Sequence, residues 1–369
     1  MPTGQMPMPM LPPMGQAPAP MFMMPPPGMF PPGMFKPKRS AGRVFLTVMV
    51  SILLSGSIIL NVYLGAALGI SSGLGLSGGQ QIIKTTLAEG DKSQKIAVVP
   101  VKGVILDGTS NKFDAAMTLV EKDDTIKALV LEIETPGGGV TPSDEMYKRV
   151  LRFRQNRPGV PVVVTMGQLA TSGGYYVSCA ATHVVAQPST LTGNIGVLMP
   201  RYNVAKLAEK YGVEEVTITA PQKGFKNAGS MLSPVKPEET KYLQSLIDEM
   251  YANFKAVVVS GRGTKLVGKI DDIADGKVYT AKQALAAGLV DEIGYADDAL
   301  RHAAKAAGLG KPMVVRYAPR PPSFLEALGG ADAKSGAGGV TVNGVNVNVD
   351  AGFIEQLGTP RPMYMWRGQ

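Results

Sequence analysis

The chain has 369 residues, 45% apolar and 18% charged, with a formal net charge of +8. The apolar share builds a sizeable core and excludes disorder throughout, and the length allows one large domain with appendages or two small ones. Lys36, Lys38, Arg39, Arg43 and Lys84 all precede the first acidic residue, Glu89, which leaves +3 downstream and implies no nucleic-acid partner.

Residues 1–35 are almost entirely Pro, Met, Gly, Phe and Ala and carry no charge. Prolines remove backbone donors and the stretch has no core of its own, so 1–43 reads as a disordered tail ending in a basic flank. Val44 to Ile70 (VFLTVMVSILLSGSIILNVYLGAALGI) has no charged residue. It exceeds the roughly 20 apolar residues that a membrane crossing needs and the 7–15 of a signal-peptide core, so 44–70 is expected to be a retained transmembrane helix. The positives just before it place the N-terminus in the cytoplasm and everything after Ile70 outside. Residues 71–81 (SSGLGLSGGQQ) read as a tether and not as a phosphate loop.

A folded domain is expected over 82–319. IAVVPV (96–101), ALVLEIE (128–134) and VPVVVTM (160–166) are continuous β-rich runs, interleaved with helical patterns near 113–122, 142–154, 173–181 and 237–259. That alternation predicts an α/β class with a buried, largely parallel sheet. In the last helix Leu243, Leu246, Ile247, Met250 and Phe254 form an apolar stripe, and Pro237 suits its first turn. Residues 320–369 read as a linker, a hairpin and a C-terminal tail. VTVNGVNVNV (340–349) turns about Asn343-Gly344, and TPRPMYMW carries the only tryptophan, Trp366.

Two glycine-rich elements follow strands: TPGGGV (Thr135–Val140) and TSGGYY (Thr171–Tyr176). Sites in open α/β sheets gather beyond the carboxyl ends of strands, and successive N–H groups there cradle an anion such as a tetrahedral oxyanion. Ser172, before Gly173-Gly174 at a helix start, is either a nucleophile or an ordinary N-cap. Its base is not obvious. The chain has two histidines; His183, in THVVA, reads as a structural histidine in a short buried strand, and His302 as a surface residue of an alanine-rich helix. Lysine is the remaining common base. Any lysine in that role must be neutral near pH 7, roughly 3 units below its ordinary value near 10.4, which takes apolar surroundings. Lys226, in GFKNAGSML, has an apolar and small-residue setting, but spacing alone does not single it out. The single cysteine, Cys179, excludes an intrachain disulfide and a cysteine metal cluster and reads as a small buried residue. No metal or nucleotide motif is present.

IAVVPVKGVI, TPGGGVTPSDEMY, TSGGYYVSCAATHVVAQPSTLTGNIGV, GFKNAGSMLSP and GKVYTAKQALAAGLVDEIG, in that order over about 95–305, closely resemble the signal peptide peptidase A family, peptidase family S49. The resemblance implies a Clp/crotonase-like spiral core, one N-terminal anchor, no cofactor and a Ser/Lys dyad. It makes Ser172 the nucleophile, Lys226 the general base, and the N–H groups of Gly138 and Gly173 the oxyanion hole, with Gly137 a competitor for the first donor. It also implies residence in the bacterial inner membrane, hydrophobic peptide substrates such as remnant signal peptides, and a homo-oligomeric ring whose active sites take serine and lysine from adjacent subunits. One position departs: TGNIG places Asn194 where the family usually has a lysine-orienting serine, with Thr192 as a substitute. On Asn194 rests an alternative, a membrane-tethered scaffold of the same fold with weak or lost catalysis. An acyl-CoA enzyme of the crotonase type is a further alternative, disfavoured by the expected external location.

Overall fold

The computed structural model describes residues 45–46, 48–60, 81–220, 225–321, 340–342, 345–347 and 362–366. The chain divides into two compact units, Met1–Ser77 and Gly78–Gln369. In the first, residues 48–60 are helical and their apolar side chains, Ile52, Leu53, Leu54, Ile58 and Ile59 among them, are exposed. Among the described residues no helix is long and apolar enough to cross a membrane. The predicted tail, residues 61–70 of the predicted span and most of the tether lie outside the described residues.

The second unit is built on a nine-stranded, mixed but largely parallel sheet, as the expected α/β class requires. Its strands are β1 (Ile82–Ala88), β2 (Asp91–Lys102), β3 (Ile126–Thr135), β5 (Val162–Thr171), β6 (His183–Ala186), β7 (Leu191–Gly193), β8 (Val278–Thr280), β9 (Glu292–Ile293) and β10 (Pro312–Pro319). The main path runs β1-β10-β2-β3-β5-β6-β9, with β7 branching from β5 to β8. Pairing is antiparallel only at β1–β10 and β7–β8. Off this sheet, the three-residue β4 (Gly137–Gly139) pairs with β13 (Met363–Met365), and β11 (Val340–Val342) pairs with β12 (Val345–Val347).

The continuous apolar runs have a direct physical reason. Side chains alternate between faces along a strand, and both faces here are covered. Ala97, Val99, Val101, Leu129, Leu131, Ile133, Val162, Val164 and Met166 enter one core. There they meet Phe113 and Met117 of α1 (Asp107–Glu121), Met146 and Phe153 of α2 (Val140–Asn156) and Tyr175 of α3 (Gly173–Ser178). Ile96, Val98, Ala128, Val130, Val163 and Val185 face the other way, under Ala299 and Ala303 of α8 (Ala296–Ala306). Between these lie α4 (Ala205–Lys210), α5 (Pro237–Arg262), α6 (Ile270–Ile273) and α7 (Ala281–Ala286).

The predicted stripe of α5 is only partly used. Pro237 occupies the first turn, and Phe254, Val258 and Arg262 are buried. Leu243, Leu246, Ile247 and Met250 are only half-buried, because the N-terminal half of this 26-residue helix is not covered by the core.

Candidate active site

Three chain segments meet beyond the carboxyl ends of β2, β3 and β5. Ile105, just past β2, bridges Gly138, with its N–H donating to the Gly137 carbonyl and its own carbonyl accepting from Gly139 N–H, both at 2.8 Å. A Cβ at Gly138 would stand 2.0 Å from the Ile105 carbonyl oxygen, so only glycine allows this approach. Gly137 has φ +95° and donates its N–H to Thr135 Oγ1 at 3.0 Å. With the Gly137 N–H turned back to its own strand, Gly138 is the donor that this strand presents outward.

Ser172 sits at the junction of β5 and α3. Its N–H donates to the Gly193 carbonyl and its carbonyl accepts from Tyr176 N–H, both at 2.8 Å, which pins the backbone at φ 53° and ψ −112°. A non-glycine residue at positive φ costs roughly 1–2 kcal/mol, and such strain collects where a side chain must be aimed. The hydroxyl does not cap the helix. It is 1% exposed, and Oγ has no hydrogen-bond partner. Gly173 and Gly174 are tightly enclosed, since a Cβ at either would fall 2.5 Å from Ser143 Oγ or Thr135 Cγ2 respectively.

The chain itself occupies the groove in front of this turn. β13 lies antiparallel on β4, in register Met363↔Gly139, Tyr364↔Gly138 and Met365↔Gly137. Its other edge bonds Leu198, through N–H donations between Met363 and Leu198 of 2.9 and 3.1 Å. Flanking bonds from Val140 N–H to Pro362 O and from Trp366 N–H to Pro136 O fix the alternation, making Gly138 and Tyr364 a mutually hydrogen-bonded pair. The Tyr364 carbonyl oxygen also borders Gly173: it lies 2.1 Å from a Cβ built on Gly137 and 3.2 Å from one built on Gly173. A backbone carbonyl of an extended segment thus rests between the two glycines beside Ser172. The Tyr364 ring, 1% exposed, stacks on Tyr176 at 5.0 Å, meets Phe254 at 4.7 Å and donates its hydroxyl to the Met250 carbonyl. Val140, Tyr147 and Val257 complete the aromatic-lined hollow.

Of the predicted site residues, the structure brings Ser172, Gly138 and Gly173 together. It does not bring Lys226 to Ser172 within one chain. Lys226 is exposed on a loop next to Phe225, which stacks on Tyr242 at 4.9 Å. That loop is tied down by Glu215, whose carboxylate accepts from Ser230, Ser233 (2.9 Å), Thr217 (2.8 Å) and Asn227; these bonds, Ser230 first, hold its pKa down to about 2. Asn194, at φ 53°, donates its side-chain amide to the Gly276 carbonyl at 2.6 Å. Thr192 donates its hydroxyl to the Ala170 carbonyl at 2.7 Å. His183 pairs with Val163 at the start of β5, the end of that strand far from Ser172. Cys179 is buried, and burial pushes its thiol up to about 12. Sequence reasoning missed Tyr364, Leu198 and Ile105; the alternating MYMW is the one local hint, and it reads equally as a tail.

Residues 154–310 match the model of Peptidase family S49. The chain is 32% identical over 311 residues to an Enterococcus faecium protein that carries the name signal peptide peptidase SppA, covering 79% of this chain and 86% of that one. The chain belongs to peptidase family S49. Two further relatives are longer than this chain. The chloroplastic serine protease SPPA of Arabidopsis thaliana is 32% identical over 304 residues, 77% of this chain and 43% of the relative. Protease 4 of Salmonella typhi is 34% identical over 246 residues, 64% and 38% respectively. Membership makes the chain a serine-type peptidase, and the S49 match spans both Ser172 and Lys226.

Proposed function

We propose that this S49 chain is a membrane-anchored endopeptidase in which Ser172 is the nucleophile and Lys226 of a neighbouring copy is the general base, cleaving extended apolar peptides such as remnant signal peptides. The observation that carries this reading is the seat of the Tyr364 carbonyl, between Gly138 and Gly173 and beside an unpartnered Ser172 hydroxyl. In this reading a bound peptide takes that seat, and Ser172 Oγ attacks its carbonyl carbon. Attack moves the hydroxyl proton to the lysine amine while the carbonyl oxygen becomes an oxyanion that accepts from the two glycine N–H groups. Collapse expels the amine half of the peptide, which takes the proton back from the lysine ammonium and leaves an acyl ester on Ser172. Water, deprotonated by the same lysine, then hydrolyses that ester and restores the hydroxyl.

The hollow around Tyr364 supports a preference for large apolar or aromatic side chains on the residue whose carbonyl is attacked. Its walls are aromatic, and the pairing of β13 on both edges is the backbone recognition an extended substrate needs. Sharing of the site between copies is supported by the arm that carries Lys226. Val216 is 79% exposed and Ile218 96%, and Tyr202, Leu207, Tyr211, Val213, Phe225 and Val235 are exposed too, alongside the uncovered half of α5. Exposed apolar surface on this scale marks an association face, and a head-to-tail contact between identical copies closes into a ring. The charge-free run 44–70 behind its basic flank supports a single-pass anchor in a bacterial cell membrane, N-terminus inside and catalytic unit outside, close to where hydrophobic peptides emerge. A fluorophosphonate probe tests the nucleophile: labelling confined to Ser172 and lost in Ser172→Ala sustains the proposal, and labelling of another serine sinks it.

A further inference from the structure

The chain's two histidines, far apart in sequence, meet at the end of the sheet opposite Ser172. His183 opens β6, Glu292 opens β9, and His302 lies on α8, which covers this face. Val185 is in register with Glu292, and strand alternation puts His183 on the same side as both. The two imidazoles are stacked 3.5 Å apart between centroids and 9° from parallel. His183 Nε2 lies 3.2 Å from Glu292 Oε2, and one ligand atom from each of His183, Glu292 and His302 falls within 4.8 Å of the others. Among the described residues this is the only such grouping of possible metal ligands.

We propose that His183, Glu292 and His302 form a binding site for a divalent transition metal of the zinc class, which fastens helix α8 to the sheet edge. Zinc–nitrogen and zinc–oxygen bonds of about 2.0–2.2 Å at tetrahedral angles set ligand atoms roughly 3.4 Å apart, so the 3.2 Å separation of His183 and Glu292 accepts an ion in place of the shared proton. Stacked rings aim their lone pairs along parallel planes, so binding turns the half-buried His302 ring out of the stack toward the ion held by His183 and Glu292. Two imidazoles and a carboxylate suit zinc, cobalt or nickel, whereas calcium and magnesium want an all-oxygen shell and copper(I) wants sulfur. Three protein ligands leave a fourth position for water.

The surroundings are arranged as a metal site's are. Asp291 Oδ2 lies 4.0 Å from His183 Nδ1, beside the ring nitrogen that a metal would leave protonated. Asp291 is itself held by both Arg262 Nη atoms at 2.9 Å, by Lys265 at 2.8 Å and by the Val184 N–H at 2.8 Å. Glu292 is 42% exposed, which leaves an entry path. β9 is two residues long and pairs with β6 through two positions only, so this edge has little else to secure it. Nine strand residues, about 30 Å, separate this end of β5 from Ser172, so the ion takes no part in peptide cleavage.

The test uses the full chain in detergent, with a histidine-free tag, stripped with EDTA and titrated with Co²⁺ and then Zn²⁺. Neither ion is drawn strongly to the thioethers of the methionine-rich tail. One equivalent of Co²⁺ should bind with intense visible absorption, be displaced by Zn²⁺, and raise the unfolding temperature by about 5 °C at a hundredfold excess over Kd. His302→Gln and Glu292→Gln should each weaken binding at least tenfold while unfolding at the wild-type temperature in EDTA. In the wild type, Zn²⁺ should protect both histidines from diethyl pyrocarbonate, a readout that does not depend on any variant folding. Absence of a bound equivalent, binding unchanged in a His183→Gln/His302→Gln double variant, or histidines modified at the same rate with and without Zn²⁺ would each overturn the proposal.

Discussion

Replacing Ser172 should stabilise the single chain while abolishing peptide cleavage. A buried hydroxyl without a partner costs about 1–3 kcal/mol, and the Ser172 Oγ is in that position at 1% exposure. Ser172→Ala removes that cost and leaves the backbone at φ 53°. Ser172→Gly also relieves the positive φ, roughly 1–2 kcal/mol, against about 0.5–1 kcal/mol of added freedom in the unfolded chain. Both variants should therefore gain about 2 kcal/mol, with glycine equal to or slightly above alanine. For a domain of this size that raises the unfolding temperature by roughly 4–8 °C. The assay is thermal unfolding of the compact unit Gly78–Gln369, dilute enough to be monomeric so that no neighbour's lysine reaches the hydroxyl. An unchanged or lowered midpoint in Ser172→Ala would mean that the hydroxyl is already satisfied within one chain. The reasoning that Ser172 is held strained and waiting for a base from elsewhere would then fail.

Deleting residues 360–369 should raise kcat/KM for a hydrophobic peptide several-fold, because β13 fills both backbone edges of the groove; an unchanged or lower value would make β13 a structural strand only. Cys179, buried and with its thiol pushed up to about 12, should resist alkylation at pH 8 in the folded protein and react fully in denaturant, and rapid native labelling would contradict its placement. Glu215 is a carboxylate whose folded pKa lies near 2, below its ordinary 4.5, so its hold on the Lys226 loop is complete above about pH 4.5 and is lost as pH falls through 2. Hydrogen-exchange protection of amides 227–233 should thus persist at pH 4 and vanish in Glu215→Gln, whereas protection already lost at pH 4 would contradict the network.

Much of the frame is legible in local sequence because it rests on local physics. Runs such as ALVLEIE are apolar at every position because their strands are buried on both faces, and glycines mark the places where Ile105 and Thr135 press on the backbone. The Ser172 turn is legible for the same reason, since a strand, a serine and two glycines stand together in the chain. What stays hidden depends on contacts between distant segments. Nothing in PMYMW states that it pairs with glycines more than 200 residues earlier, nor does THVVA state that its histidine stacks on His302. The stripe of α5 is legible as apolar, but among the described residues nothing fully covers Leu243, Leu246 and Ile247. Lys226 is illegible for the same reason, because its proposed partner belongs to another copy.

The most direct test of that sharing mixes two inactive proteins. Ser172→Ala and Lys226→Ala chains are each assembled alone and then co-assembled after mild dissociation. A site shared between neighbours predicts that roughly one quarter of the sites in an equal random mixture regain an intact serine and an intact lysine, and cleavage of a hydrophobic peptide returns in that proportion. Full inactivity of the mixture, with subunit exchange verified, would contradict the account.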